Sequence, residues 1–501
     1  MKNIPAVNLM LVGLGPHAKR IYYPLLELHR HDSQLNLCVA VERLSTQNET
    51  DTFLSEQSIK PDVIYLNDVD NSLPELPLDV QRRLNIAVKK YRINGVIIAT
   101  EPLAHVQYAK WALEAGLSIL MDKPISSYEN ISTSPDKAQR LIDDYHALNQ
   151  IYQLKRKAYP QLVFSVMTQR RYQTSFKLIK QRIAECFAQT HCPVTNIQSF
   201  HSDGQWRMPS EIVEQRYHPY NQGYGKCSHS GYHYFDIVPF ILESGYGLNK
   251  HFDNIDVFAQ SVRPNDVLYQ FGLDDYRALF GSENFDSVNH YDQIQLNNLL
   301  YRFGEVDCTC ALLFKNDRRV LTSALINLCH NGYSLRNWLT AKGRDLYKGN
   351  GRVAHESHII IQGPFQSIYF QSYKSDESSS LVDANQHLPG SKGHIEILIF
   401  RNHKMLGGQH VESFNIDDLI AMEGGEKGLT GKTKAKAFYE FIAGMRGEIS
   451  PSQMVSDFSK HEIGAVITSA VYQSISHQFC KKNPLINYAF SRVPLYDRDA
   501  K

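Results

Sequence analysis

Two short runs hold the residues best suited to chemistry. Gly13-Leu14-Gly15-Pro16-His17-Ala18 follows an apolar strand-like run, Asn8–Val12, and Asp122-Lys123-Pro124 ends another, Leu117–Met121. The first run reads GxGxxA, the pattern of a dinucleotide-binding turn when it joins a strand to a helix. In that reading Gly13 permits the tight turn, Gly15 lets the backbone approach a pyrophosphate, and Ala18 keeps helix and strand close. Leu14 and Pro16 complete the loop. The helix N-terminus supplies N–H groups and partial positive charge to phosphates. The second run puts an ionisable pair, Asp122 and Lys123, at the carboxyl end of a strand, where open α/β sheets bind ligands. A lysine buried there can have its pKa lowered enough to move protons; the plain alternative is a solvated lysine after a strand. Glu42 closes a third apolar run, Leu35–Val41, at the distance where an acid holds a ribose 2′-hydroxyl. Glu42 favours NAD; its neighbour Arg43 can accept the 2′-phosphate of NADP, so both cofactors stay open.

These runs need a scaffold that gathers strand ends. Gly95–Thr100, a helical pattern through Val106, Ala109, Ala112 and Leu113, the stop at Gly116 and then Leu117–Met121 make a βαβ unit with parallel strands. Val63–Leu66 adds a strand, Leu78–Tyr91 a helix, Ser134–Tyr159 a long helix and Leu162–Met167 a sixth strand. The alternation predicts a Rossmann dinucleotide-binding domain over residues 1–155. Beyond it the pattern changes. After a helix at Ser175–Phe187 come alternating runs at Asn196–His201, Val306–Phe314, Val320–His330, His358–Ile361, Ser367–Tyr373 and Ile395–Phe400. Strands without intervening helices predict a largely antiparallel, open-faced sheet in an α+β domain over 156–501, with polar insertions near 264–300 and 374–393. Helices at Thr433–Met445 and Asp457–Phe479 close the chain.

A length of 501 residues suits about two to three domains. A net charge of +1 gives no field that would draw nucleic acid or an acidic membrane. The first residues do not read as a signal peptide, and no run is apolar for long enough to span a bilayer. The eight cysteines form no CxxC pair and read as reduced thiols of a cytoplasmic protein. Cys308 and Cys310, two apart in a strand-like run, read as core packing; no metal site is expected.

With these features goes a family resemblance. Gly13-Leu14-Gly15-x-x-Ala18, Ala99-Thr100 with His105, Ala112-Leu113-Glu114-Ala115-Gly116 and Asp122-Lys123-Pro124 resemble the Gfo/Idh/MocA oxidoreductases, in which the last motif is usually Glu-Lys-Pro. Gly231-Tyr232-His233-Tyr234-Phe235-Asp236 is similar to the family's GxHxxD, and Arg170-Arg171-Tyr172 to its segment after the sixth strand. The resemblance runs through nearly the whole chain in order. It implies hydride transfer between a nicotinamide and a carbon of a sugar, cyclitol or nucleotide-sugar derivative. It carries catalytic roles to Lys123, which would hydrogen-bond the reacting oxygen, and His233, which would carry the proton. Asp236 would orient His233 or bind substrate. Thr100, His105, Asp122 and Lys123 would adjoin the cofactor, and Gly231 would permit a close approach to the nicotinamide. Arg171, His229 and Tyr232 are candidates for substrate contact, with Arg170-Arg171 suited to an anionic group. His229 stands where polyol dehydrogenases of the family commonly place an Asp. The resemblance also implies a homo-oligomer formed through the second-domain sheet. Two other readings are a non-catalytic NAD(P)-binding regulator or scaffold on the same fold, and a C=N reductase.

Overall fold

The computed structural model describes residues 5–67, 73–216, 218–247, 250–340, 351–375, 393–424 and 429–490. Two compact units result, each assembled from several stretches of chain. One comprises Met1–Ser127, Leu141–Gln173 and Gly428–Ala465; the other comprises Tyr128–Arg140, Thr174–Lys427 and Val466–Lys501.

The first unit is built on a parallel sheet. Its strands are β1 (Val7–Val12), β2 (Leu35–Arg43), β3 (Asp62–Leu66), β4 (Gly95–Ile98), β5 (Ser118–Met121) and β6 (Phe164–Val166). They lie in the order β3-β2-β1-β4-β5-β6, every neighbouring pair parallel. This is the doubly wound Rossmann arrangement expected from the alternating pattern. β4 and β5 are buried at every position because both faces of such a sheet are covered. Part of the cover comes from late in the chain. Phe438, Phe441, Ile442 and Met445, from the helix Leu429–Met445, join Leu9, Leu11, Tyr22 and Leu26 in one apolar core. A Cβ on Gly95 would stand 2.7 Å from Met445 Cε, so the absence of a side chain there lets the helix seat on the sheet. Phe458 stacks on Phe164 with centroids 4.0 Å apart, and Tyr152 donates to Asp457 at 2.6 Å. Thus β6 is also fastened by late residues.

The second unit carries a nine-stranded sheet. Its strands are β7 (Asn196–Ser202), β8 (Asn254–Val262), β9 (Asp307–Asn316), β10 (Arg319–Cys329), β11 (Val353–Gln362), β12 (Gln366–Ser375), β13 (His394–Arg401), β14 (Val411–Asn415) and β15 (Ile486–Ala489). The order is β14-β13-β12-β11-β7-β10-β9-β8-β15; only β7 and β10 pair in parallel. On one face Cys310, Leu312, Phe314, Ile326, Ile360, Phe370 and Ile397 are buried. Cys308 and Cys310 point into this core as free thiols, and no cluster suited to a metal occurs among the described residues. The other face is exposed or half-buried. Register aligns Phe258, Ala311, Leu325, Gln198, Ile359, Tyr369 and Leu398 across it in one row.

The sequence misses β14 and β15, which are short and form the two edges of the sheet, and also β8, which lies between β9 and β15. It also reads 264–300 as a polar insertion, whereas four helices form there: Pro264–Gln270, Leu273–Phe280, Ser282–Asp286 and Gln293–Leu300. Leu268, Leu273, Tyr276, Phe285, Leu296 and Leu300 bury themselves in a small core of their own. Each helix is too short for its apolar spacing to stand out from the polar residues around it. Most of the expected insertion at 374–393 lies outside the described residues. No helix among the described residues is long and apolar enough to cross a membrane.

Glu305 fixes the segment that leads into the histidine motif. It is fully buried and accepts from Ser132 Oγ, the Cys227 backbone N–H at 2.9 Å and Tyr472 Oη at 2.9 Å. Removing the acceptor strands three buried donors, each worth about 1–3 kcal/mol. Glu305→Ala should therefore lower unfolding free energy by about 3 kcal/mol or more, read as a fall in the urea midpoint at unchanged slope.

Candidate functional site

In the first unit the glycine loop leaves β1 at Gly13, whose φ is +89°. A Cβ there would lie 2.8 Å from the Ala99 carbonyl carbon and oxygen and from Thr100 Cα. Glycine is thus required twice, by its backbone angle and by the approach of the β4 end. Gly15 is the opposite case: a Cβ there would meet no atom within 4 Å, so its face is open to a ligand. The helix that follows is interrupted, Pro16–Arg20 and then Tyr22–Leu28, and Ala18 is buried against the sheet as the motif requires.

The strand ends around this loop are tied by side chains. Glu42 Oε2 accepts the Leu14 N–H at 2.6 Å, and Oε1 accepts the Arg43 N–H at 2.8 Å. The Leu14 amide is therefore committed to the acid, and Pro16 has no N–H to offer. Glu42 keeps further lone pairs, and the Arg43 side chain is exposed beside it. Asp122 does not turn toward the cleft side of its own turn; it accepts from Tyr22 Oη and lies 3.5 Å from His17 Nε2. It thereby ties the end of β5 to the glycine-loop helices. His105 is fully buried, its Nδ1 2.8 Å from the Pro124 carbonyl and its Nε2 3.1 Å from the Thr100 carbonyl. It pins the turns after β4 and β5 to each other, the part of a positioning residue. Burial pushes its pKa down while the two carbonyls oppose the shift. Lys123, half-buried, follows Asp122 and is joined to Pro124 by a cis peptide. Arg171 is 4% exposed; it donates to the Val455 carbonyl at 3.1 Å and the Lys460 carbonyl at 3.0 Å. Those donors serve the protein's own backbone rather than standing ready for an anionic substrate.

In the second unit a wide π-helical turn, Cys227–Gly231, runs into the helix Tyr232–Leu242. Such turns recur at functional positions because they shift side chains out of the α-helical register. His229 and His233, one helical turn apart, are half-buried, while Tyr232 and Asp236 are 1% exposed. The two histidines are thus the part of this segment that reaches the unit's surface. Tyr232 packs inward. The His229 ring is bracketed by His218, Tyr220 and Tyr224, with centroids 4.7, 5.2 and 5.5 Å away. Gly231 earns its place differently from expectation: a Cβ would stand 2.8 Å from Leu328 of β10 and 3.1 Å from the Lys226 carbonyl, so the approach it permits is helix on sheet.

Beneath this segment lies a buried polar cluster that no spacing in the sequence marks. Lys226 is fully buried and donates to Asp203 Oδ2 at 2.5 Å, with His201 Nδ1 3.0 Å away. Lys226 and Arg352 hold the Asp203 carboxyl well below its usual range against the opposing pull of burial. Arg207, Tyr220 and His330 adjoin it.

Comparison with known proteins bears on the fold. No family model and no curated relative matches the sequence. Solved structures do match over nearly the whole chain. An oxidoreductase from Agrobacterium radiobacter, in complex with NAD+, L-tartaric acid and magnesium, superposes with a TM-score of 0.52 at 11% identity, covering 96% of this chain and 98% of that one. An NAD-binding oxidoreductase from Klebsiella pneumoniae gives 0.55 at 12% identity, with 97% and 100% covered. An oxidoreductase domain protein from Kribbella flavida gives 0.52 at 11%, with 98% and 100% covered. The chain has the fold of these oxidoreductases. The similarity extends through both units, as the sequence resemblance does.

Two outcomes check this geometry. Gly13→Ala must push the loop off Ala99, and should weaken nicotinamide dinucleotide binding tenfold or more, about 1.4 kcal/mol, in a calorimetric titration. His17 offers a pH test, because burial lowers its pKa from 6.5 to about 4 despite Asp122. Above pH 6.5 His17 is neutral folded or unfolded, so it adds no pH dependence there. Between 6.5 and about 4 the unfolded chain takes up the proton first, so stability falls as pH drops through that window. The full loss is about 3 kcal/mol, and His17→Gln should flatten this part of the stability–pH curve.

Proposed function

We propose that the protein is an oxidoreductase that moves a hydride between a nicotinamide cofactor and a CH–OH carbon of a sugar, cyclitol or nucleotide-sugar derivative. The observation that carries this reading is the glycine loop: Gly13 is locked against Ala99 and Thr100, while Gly15 faces open space one turn from Glu42. These residues suit a dinucleotide. Gly15 admits the pyrophosphate, Glu42 takes ribose hydroxyls with its remaining lone pairs, and Thr100 and Asp122 border the nicotinamide end through the turns that His105 holds. The cofactor, when bound, supplies or accepts the hydride. NAD is the preferred form because Glu42 disfavours a 2′-phosphate; the exposed Arg43 is the residue that would admit NADP.

Lys123 holds the reacting oxygen by a hydrogen bond from its ammonium group. His233 carries the hydroxyl proton, which suits an imidazole at the surface of its unit. Asp236, buried one turn on, orients that imidazole, and His229 contacts the substrate beside it. The protein is cytoplasmic, as its free thiols suggest, and assembles through the exposed face of the nine-stranded sheet. That face exposes Phe258 (37%), Leu313 (36%), Tyr369 (39%) and Phe400 (38%), an apolar surface of the kind that pairs with another copy.

Turnover assays on a panel of polyols, sugars and nucleotide sugars with NAD and NADP test the chemistry. Lys123→Ala and His233→Ala should each lower kcat/KM by about 10²–10⁴-fold, and His233→Ala should leave cofactor affinity unchanged. Gly15→Val should abolish cofactor binding itself. Cofactor binding without turnover of any substrate, unaffected by Lys123→Ala or His233→Ala, would mark a regulator and sink the proposal. For assembly, Tyr369→Glu should dissociate the oligomer in sedimentation velocity; a wild-type protein that is already monomeric rejects that part.

A further inference from the structure

Arg207 stands out among the buried cations of the second unit. It is 3% exposed, and its Nη2 donates to Gln205 Oε1 at 2.7 Å. Its Nε and Nη1 are enclosed and have no acceptor among the described residues. A guanidinium carries five N–H donors and keeps its charge, so burying it with donors unmatched is strongly unfavourable unless something fills the gap. Its neighbour Arg336 shows the ordinary solution: equally buried, it forks onto Glu211 at 2.7 and 2.8 Å and donates to the Trp206, Trp338 and Leu339 carbonyls.

Among the described residues no ion pair joins Arg207 to an acid. Glu211 is held by Arg336, Asp203 by Lys226 and Arg352, and Asp307 Oδ1 by the His330 backbone N–H at 2.6 Å. His330 adds a third unmatched atom. Its Nδ1 is 2.7 Å from Tyr220 Oη, and its Nε2 is enclosed without a partner. With the tyrosine hydroxyl donating to Nδ1, Nε2 carries a proton and no acceptor. Burial and the Arg207 charge hold this imidazole neutral.

The Tyr220 ring touches His330 on one side and His229 on the other, with centroids 5.3 and 5.2 Å away. The unmatched donors therefore sit one aromatic ring away from the His229–His233 face. We infer that Arg207 and His330 form the receiving site for an oxyanion of the substrate, a carboxylate or a phosphate, so that this protein acts on an acidic or phosphorylated sugar rather than a neutral polyol. The inference deepens the oxidoreductase reading and rests on it for the word substrate. Because the donors are enclosed, the anion reaches them by displacing the Tyr220 ring. Once inside it is bound in a low-dielectric setting where charge-assisted hydrogen bonds are strong.

The test is a thermal-shift and calorimetric titration of the full chain with D-glucuronate, glucose 6-phosphate, inorganic phosphate and glucose, with and without NADH. One of the two sugar anions should stabilise the wild type in a saturable way, and glucose should not. A glucuronate response identifies a carboxylate, a glucose 6-phosphate response a phosphate. Arg207→Gln should raise the Kd of that anion by about 30-fold or more. If that variant does not fold, Arg207→Lys, which keeps the charge with fewer donors, should show a smaller loss in the same direction. Absence of stabilisation by either sugar anion at tens of millimolar overturns the inference and leaves an internal water as the partner of Arg207. So does an anion response that survives in the Arg207 variant, or one given only by inorganic phosphate. Failure of the parent reading looks different: Arg207-dependent anion binding with no nicotinamide-linked turnover keeps the site and removes the oxidoreductase.

Discussion

The carboxyl ends of a parallel sheet cannot be left loose if a ligand is to bind there, and in this protein buried polar side chains hold them. Glu42, at the end of β2, grips the Leu14 amide in the loop after β1. Asp122, at the end of β5, reaches back to His17 and Tyr22 in the helices after that same loop. His105 joins the turn after β4 to the turn after β5. Three side chains thus link four strand ends. The Glu42–Leu14, Asp122–Tyr22 and His105–Pro124 bonds are partly or fully shielded from water, where hydrogen bonds carry more weight. The glycine loop, the Thr100 turn and Lys123 all take their positions from these links. An aspartate suits position 122 in the same terms, since its carboxylate has Tyr22 and His17 close at hand.

The second unit follows the same logic with a different outcome. Its buried charges are also paired, Lys226 with Asp203 and Arg336 with Glu211. Glu305 collects three donors around the π-helical turn. Beside these paired charges, Arg207 differs in being a fully enclosed cation that pairs with no acid among the described residues. A buried cation with unmatched donors is the costliest of these to leave without a partner, which is the reason to look for a ligand there.

What the sequence made legible follows the range of the interactions concerned. The parallel sheet, the glycine turn and the helix Leu78–Tyr91 are local patterns, and the structure has them where the periodicity puts them. The alternation of β7, β9, β10, β12 and β13 was visible too, because each strand has one buried face. The four short helices within 264–300 were not, since their core forms only when they meet one another. The inward turn of Tyr232 and the use of Arg171 on backbone carbonyls were equally hidden. Neither depends on neighbours in sequence. The Arg207–His330 arrangement lies furthest from reach: its members stand more than a hundred residues apart, and its meaning resides in a partner that is missing.

The helix Leu429–Met445, which closes one face of the parallel sheet, has a consequence for the birth of the molecule. While a ribosome is still making the middle of the chain, Leu9, Leu11 and their neighbours lack Phe438 and Phe441, the residues that will cover them. The parallel-sheet unit therefore waits, with an apolar face bare, until Phe438 and Phe441 have emerged. Contacts of such long sequence separation form slowly and leave nascent chains prone to association. The protein's first vulnerability is thus one of timing.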